Sequence, residues 1–196
     1  MARLKADDRP SLYQLEAELS RVKYKRRYNW VLRSTIYALV VVAALAVLVA
    51  TLWMPVLQIY GNSMTPSMQD GDIVISVKNS NPQRGDVVAF YYNNKVLVKR
   101  IIGLPGDTVN IDASGNVFVN GTPLDEPYLS QKDYGECTTE MPCTVAEEEY
   151  FVLGDHRELS VDSRNELIGC VKEDQMVGRI VFRVWPFENF GKINTY

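Results

Sequence analysis

DVVAFYYNNKVLVKRIIG, residues 86–103, is the stretch on which the fold turns. Two runs rich in β-branched and aromatic residues flank Asn93-Asn94, a pair suited to a tight hairpin turn. The pattern predicts two antiparallel strands. Side chains alternate along a strand, so Lys99 shares a face with Leu97 and Ile101 while Arg100 points the other way with Val98 and Ile102. A lysine on an apolar face is either a snorkelling side chain or a group with a special role, because lysine is rarely buried without a reason.

The same kind of signal continues on both sides. DIVISVK (72–78), DTVNI (107–111), NVFVNG (116–121), EYFVLG (149–154) and GRIVFRVW (178–185) are short β-type runs bounded by turn residues, and Ser114-Gly115 reads as a second hairpin turn. No helical pattern alternates with these runs, which disfavours a parallel α/β sheet. Residues 122–148 are polar and irregular, and with the hairpin before them they make an excursion, 112–148, on the β body. The expected fold is mainly β: an antiparallel β-sheet body over residues 58–196.

Upstream the chain changes character. No charged residue lies between Ser34 and Gln69, and STIYALVVVAALAVLVATLWMPVL, residues 34–57, is apolar nearly throughout. As a helix this stretch spans about 36 Å, enough for a hydrocarbon core of about 30 Å. Tyr37 and Trp53 lie near its ends, where aromatic rings favour headgroups. A buried core helix of this length would show a polar side, and a cleavable signal peptide would have a shorter leader and a shorter apolar run. A retained, single-pass transmembrane helix is expected. Residues 1–33 hold nine Lys/Arg against four Asp/Glu, a net of +5, whereas the rest of the chain carries −8. By the positive-inside rule this basic leader is cytoplasmic and residues 58–196 lie outside the cell membrane. Within the leader, residues 11–27 read as a short amphipathic helix, with Ser11 and Gln14 in a capping-box pattern and a narrow stripe of Leu12, Leu15, Leu19 and Val22. The overall net charge of −3 gives a nucleic-acid role no electrostatic support.

That location permits disulfides. Cys137 and Cys143 share a polar loop and are expected to form one, two free thiols being the alternative; Cys170 reads as a small buried residue. The single histidine, His156, cannot complete a typical zinc set, and no metal or cofactor is expected.

Ser63 and Lys99 invite a chemical reading. Ser63 sits among turn formers, where a plain loop serves as well as a nucleophile. Gly61 permits an unusual backbone and a close approach, which an oxyanion hole also needs. His156 lies directly beside Asp155, and adjacent side chains of an extended segment do not face each other, so it is a weak candidate for a base. A lysine base must be neutral, which requires its pKa of about 10.4 to fall by about 3.4 units, within the range of about 3–5 that burial supplies. Only Lys99 lies on an apolar face; Lys78 and Lys172 sit at segment ends and Lys95 in a turn.

Three stretches together sharpen the reading. GNSMTPSMQDGD (61–72), VKRIIGLPGD (98–107) and GDHRELSVDSR (154–164) resemble the main sequence boxes of type I signal peptidases, in that family's order and spacing. The similarity spans the anchor and most of residues 58–185. The resemblance implies a membrane-bound serine endopeptidase, similar to Gram-positive members, that removes N-terminal signal peptides from preproteins through a Ser–Lys dyad and an acyl-enzyme. It implies Ser63 as nucleophile, Lys99 as general base, and Met64 in the substrate pocket. It implies that Ser160 hydrogen-bonds and orients the lysine, that Asp162 and Arg164 form a supporting ion pair, and that Gly61 contributes backbone to the oxyanion hole. Asp155 and Arg157 belong to the same box. His156 stands where the family usually has Asn and is expected to be a neutral replacement. Substrates with an A-x-A pattern before the cut, the lipid bilayer and the secretion machinery are the implied partners. Ser63 follows the apolar stretch closely, with a fully extended link from Met54 of about 30 Å, so the nucleophile is expected near the membrane surface. Two rivals are a catalytically inactive membrane-tethered β module for binding or assembly, and another Ser–Lys enzyme such as a self-cleaving repressor of the SOS type. The anchor and the lack of a DNA-binding segment disfavour the repressor.

Overall fold

The computed structural model describes residues 11–78 and 81–193; the first ten residues of the basic leader lie outside the described residues. One long helix, α1 (Leu12–Trp53), is followed by twelve strands: β1 (Val56–Gln58), β2 (Ile73–Val77), β3 (Val87–Tyr92), β4 (Lys95–Gly103), β5 (Thr108–Ile111), β6 (Val117–Val119), β7 (Thr122–Pro123), β8 (Cys143–Thr144), β9 (Glu149–Leu153), β10 (Val171–Lys172), β11 (Met176–Trp185) and β12 (Gly191–Lys192). The chain divides into two compact units at Ala50/Thr51.

The helix begins with the capping box that the sequence predicts. Ser11 N–H donates to Gln14 Oε1 at 3.0 Å, and Gln14 N–H donates to Ser11 Oγ at 3.3 Å. The predicted leader helix and the predicted anchor are one uninterrupted helix of 42 residues, none of whose side chains is buried against protein. It is long and apolar enough to cross a membrane. It ends at Trp53, short of the expected Leu57. Pro55 explains the difference, since the residue before a proline is pushed out of helical backbone. Val56–Gln58 instead pair antiparallel with β2, Val56 opposite Ile75 and Gln58 opposite Ile73.

All strand pairs in the body are antiparallel. The large sheet runs β1-β2-β11-β3-β4-β9-β10, with β12 added on β11; the small one runs β7-β6-β5-β8. The hairpin β3–β4 lies inside the large sheet. Its turn residues Asn93 and Asn94 adopt φ of 44° and 59°, as a primed hairpin turn requires. The turn at Gly115 (φ 79°) is closed by the Asp112 carboxylate, which accepts from the N–H groups of Ser114 and Asn116, both at 2.9 Å. The ends of the irregular excursion, β7 and β8, tie back onto the small sheet.

Strand β4 is buried on both faces from Lys99 to Gly103. Ile101 packs with Val88, Phe90 and Val152 on one side. Ile102 packs with Val109, Phe151 and Leu153 beneath the small sheet. A third cluster joins Met64 and Met68 to Val74, Val87, Ala89 and Ile180. Two successive cations on β4, Lys99 and Arg100, are thus both denied water.

Candidate active site

The loop from Ile59 to Asp72, between β1 and β2, carries Ser63, and its fixation starts at its neck. Ile59 N–H donates to the Asp72 carbonyl at 2.8 Å, and Gly71 N–H to the Ile59 carbonyl at 2.9 Å. Met64 and Met68 plug into the core, and Met68 N–H donates to the Met64 carbonyl at 2.8 Å. Arg183 Nη2 donates to the Ser67 carbonyl, and Arg100 Nη2 to Ser67 Oγ at 3.2 Å. His156 N–H donates to the Ser63 carbonyl at 3.0 Å. A short polar loop is therefore held as firmly as a strand, with Ser63 left partly exposed at its tip.

Lys99 Nζ donates to Ser63 Oγ at 2.7 Å. The lysine is only 3% exposed. Burial lowers it from its ordinary 10.5 to about 8; the nearby Arg164 cation works in the same direction, while Asp162 and Asp155 oppose it. Asp162 does not become a partner of the lysine because its oxygens are already engaged. Arg164 Nε donates to Oδ1 at 2.8 Å and Nη2 to Oδ2 at 2.9 Å, and Gly154 N–H donates to Oδ2 at 3.0 Å. Arg164 also donates to the carbonyls of Tyr134 at 2.8 Å, Arg157 at 2.7 Å and Ser160 at 3.2 Å. The pair is fully buried and bidentate, and it shapes the 154–164 loop around the lysine.

Around this centre runs a groove of about 590 Å³, lined by Tyr60, Asn62, Ser63, Tyr92, Leu97, Lys99, Leu159, Val161, Leu167 and Ile168 among others. Ser63 and Lys99 lie at its floor, and its walls are largely apolar. The backbone N–H of Ser63 has no hydrogen-bond acceptor among the described residues. A hydroxyl against a neutralisable amine, beside a free N–H and an open apolar groove, can perform acyl transfer.

The profile described as "Signal peptidase, peptidase S26" matches residues 32–185. The chain belongs to this family. It is 40% identical over 152 residues to signal peptidase IB of Staphylococcus aureus (strain N315), covering 67% of this chain and 78% of that protein. It is 36% identical over 166 residues to signal peptidase I of Bacillus amyloliquefaciens, covering 79% and 89%. Among solved structures, a signal peptidase I from Enterococcus faecalis V583 is 35% identical, with a TM-score of 0.45, over 51% of this chain and 97% of that one.

Four expected details differ in the structure. Ser160 Oγ is buried but has no hydrogen-bond partner, so the expected bond to Lys99 is not made. Ser160 acts here as close packing: a Cβ on Gly154 would lie 2.1 Å from its Oγ and 2.6 Å from the Ser63 carbonyl. Gly61 N–H is not free for an oxyanion, because it donates to Asp70 Oδ1 at 2.7 Å. Met64 is 1% exposed and belongs to the core, not to the groove lining. Cys137 and Cys143 are both free thiols. Cys137 Sγ donates to the Thr139 carbonyl at 3.5 Å, whereas Cys143 packs with Cys170 against the cluster beneath the small sheet. Register explains this: Cys143 lies on β8 opposite Val109.

Asp155 and Arg157 were placed in the third box, but their partners at the site escape sequence reasoning. Arg100 and Asp155 form a buried bidentate pair, Nε to Oδ1 at 2.9 Å and Nη2 to Oδ2 at 2.6 Å, with the guanidinium 4.0 Å above the Tyr128 ring. Arg157 pairs with Glu126, which the irregular excursion delivers from 31 positions away in sequence. The only local hint was the density of Arg and Asp in GDHRELSVDSR. Glu126 carried no signal at all.

Proposed function

We propose that this chain is a membrane-anchored serine endopeptidase that removes signal peptides from preproteins, with Ser63 as nucleophile and Lys99 as general base. The observation that carries the residue assignment is the 2.7 Å contact between Ser63 Oγ and the buried Lys99 Nζ. The family supplies the reaction; the geometry supports the roles.

A lysine at about 8 is neutral in roughly one molecule in ten at pH 7, against fewer than one in a thousand for an ordinary lysine. The neutral amine takes the Ser63 proton as Oγ attacks the scissile carbonyl. The Ser63 N–H is the backbone donor available to the developing oxyanion. Lys99, now protonated, gives its proton to the leaving amine, which is the N-terminus of the mature protein. Water then enters and loses a proton to Lys99 as it attacks the acyl carbonyl; Lys99 passes that proton to Ser63 Oγ as the ester bond breaks and the signal peptide leaves. Asp162 and Arg164 hold the loop without neutralising the lysine's surroundings.

Several finer readings belong to the same proposal. Leu159, Val161 and Leu167 give the groove apolar walls, which suits small side chains before the cut, as in the A-x-A pattern. The basic leader favours a cytoplasmic N-terminus, with the β body, residues 58–196, on the other side of the membrane and the secretion machinery as a neighbour.

The test is cleavage of a preprotein by the purified full-length chain in detergent. Wild type releases mature protein, and Ser63→Ala with native circular dichroism releases none. Turnover by folded Ser63→Ala would end the assignment.

A further inference from the structure

We infer that His156 is a positioning residue for acyl transfer: it sets the orientation of both peptide planes that flank Ser63, and so the aim of the Ser63 N–H and hydroxyl. This rests on the assignment of Ser63 as nucleophile and goes beyond it.

The argument starts from hydrogen-bond valence. Thr65 Oγ1 lies 2.9 Å from His156 Nδ1 and donates to the Asn62 carbonyl at 2.8 Å. A hydroxyl has one proton to give. Since that proton goes to Asn62, the hydroxyl must accept from the ring, and Nδ1 carries a hydrogen. Thr65 N–H donates to the same Asn62 carbonyl at 3.2 Å. On the other side of the nucleophile, His156 N–H donates to the Ser63 carbonyl. One residue thus governs both carbonyls, one through its backbone and one through the Thr65 hydroxyl.

The consequence follows from planarity. In a trans peptide the C=O and the next N–H point in opposite directions. Fixing the Asn62 carbonyl on Thr65 turns the Ser63 N–H away from that pair of residues. Fixing the Ser63 carbonyl as well locks rotation on both sides of the Ser63 Cα. With Gly61 N–H spent on Asp70, the Ser63 N–H is the donor on which oxyanion binding depends, so its direction matters more. Nδ1 keeps its hydrogen in this neutral tautomer and in the cation alike, so the contact does not require a particular charge. An Asn at this position places an amide N–H the same number of bonds from Cα and can donate to Thr65 in the same way.

The experiment uses the full-length chain in detergent with a preprotein substrate, and reads kcat, KM and thermal midpoint for His156→Ala, His156→Asn, Thr65→Val, Thr65→Ser and the double variant His156→Ala/Thr65→Val. Removing an oxyanion donor outright costs about 10²–10³ in kcat, and loss of its aim is expected to cost about 10–100-fold, with KM changed less than about threefold. His156→Asn and Thr65→Ser recover most of that loss. The double variant is no slower than the slower single one, because both act on one bond path. Multiplicative losses, an unimproved His156→Asn, or a kcat defect that vanishes when rates are normalised to the folded fraction would overturn the inference. If His156→Ala fails to fold, Thr65→Val and its Ser rescue decide alone. Ser63→Ala run alongside separates the two levels: activity there removes the nucleophile assignment, whereas a dead Ser63→Ala with an unaffected Thr65→Val removes only the role of His156.

Discussion

Lys99 and Arg100 are neighbours on β4, both basic and both buried, and they differ in the partners they meet. Arg100 meets the Asp155 carboxylate in a bidentate pair and lies over Tyr128. Lys99 meets a hydroxyl, and Asp162, the carboxylate that most favours its charge, is taken up by Arg164. Arg100, whose guanidinium stays charged in any protein setting, serves as structure. Lys99 bears the cost of burial without a dedicated counter-ion, and its pKa falls to about 8. Burial makes a base only where the compensating charge is withheld.

The comparison can be broken at several points. The largest effect is expected from Lys99→Ala, which removes the proposed base and lowers kcat/KM for preprotein cleavage by about 10⁴-fold or more while the fold survives. Next comes Gly154→Ala. The added carbon would sit 2.1 Å from Ser160 Oγ and 2.6 Å from the Ser63 carbonyl, and a displacement of that kind near reacting atoms costs about 10²-fold in kcat. Arg164→Met tests the withheld counter-ion. It leaves Asp162 buried and unpaired, costs about 3–5 kcal/mol of stability by chemical denaturation, and frees that carboxylate to favour charged Lys99. Since Arg164 lowers and Asp162 raises the lysine's pKa, both changes push it up. With Lys99 as the proposed base the neutral form is the reactive one, so wild-type kcat/KM is expected to rise with pH and level off above about 8. In the variant that rise moves to higher pH, measured on the fraction that folds or on Arg164→Lys if none does. An unmoved profile would show that Arg164 only braces the loop. The smallest effect is expected from Cys137→Ser: with no bond to Cys143, its thermal midpoint and activity match wild type.

How far the sequence carried these conclusions depends on range. The hairpin at Asn93-Asn94, the capping box at Ser11 and Gln14, and the β-type runs are local patterns, and the structure contains them. The end of α1 was read too far because Val56 and Leu57 look like anchor, yet they find a partner strand sixteen or more residues ahead. Strict alternation in 95–103 failed to show that Arg100 is as buried as Lys99, because its cover comes from distant residues, Ser67, Tyr128 and Asp155. The expected cysteine pair followed proximity along the chain, whereas strand register set Cys143 opposite Val109, where it packs against the same cluster as Cys170.

By itself the sequence determined that there is one apolar helix, an antiparallel β body, and the three boxes that identify the family with Ser63 and Lys99 in them. Those features rest on residue type, periodicity and order, which are written along the chain. The Asp162–Arg164 pair was implied by the boxes, but only the tertiary structure decided the other partners: Asp155 for Arg100, Glu126 for Arg157, Asp70 for the Gly61 N–H, and Thr65 for His156. Hydrogen bonds and ion pairs are settled at distances near 3 Å. A choice among carboxylates on that scale is made by packing, after distant strands have come together.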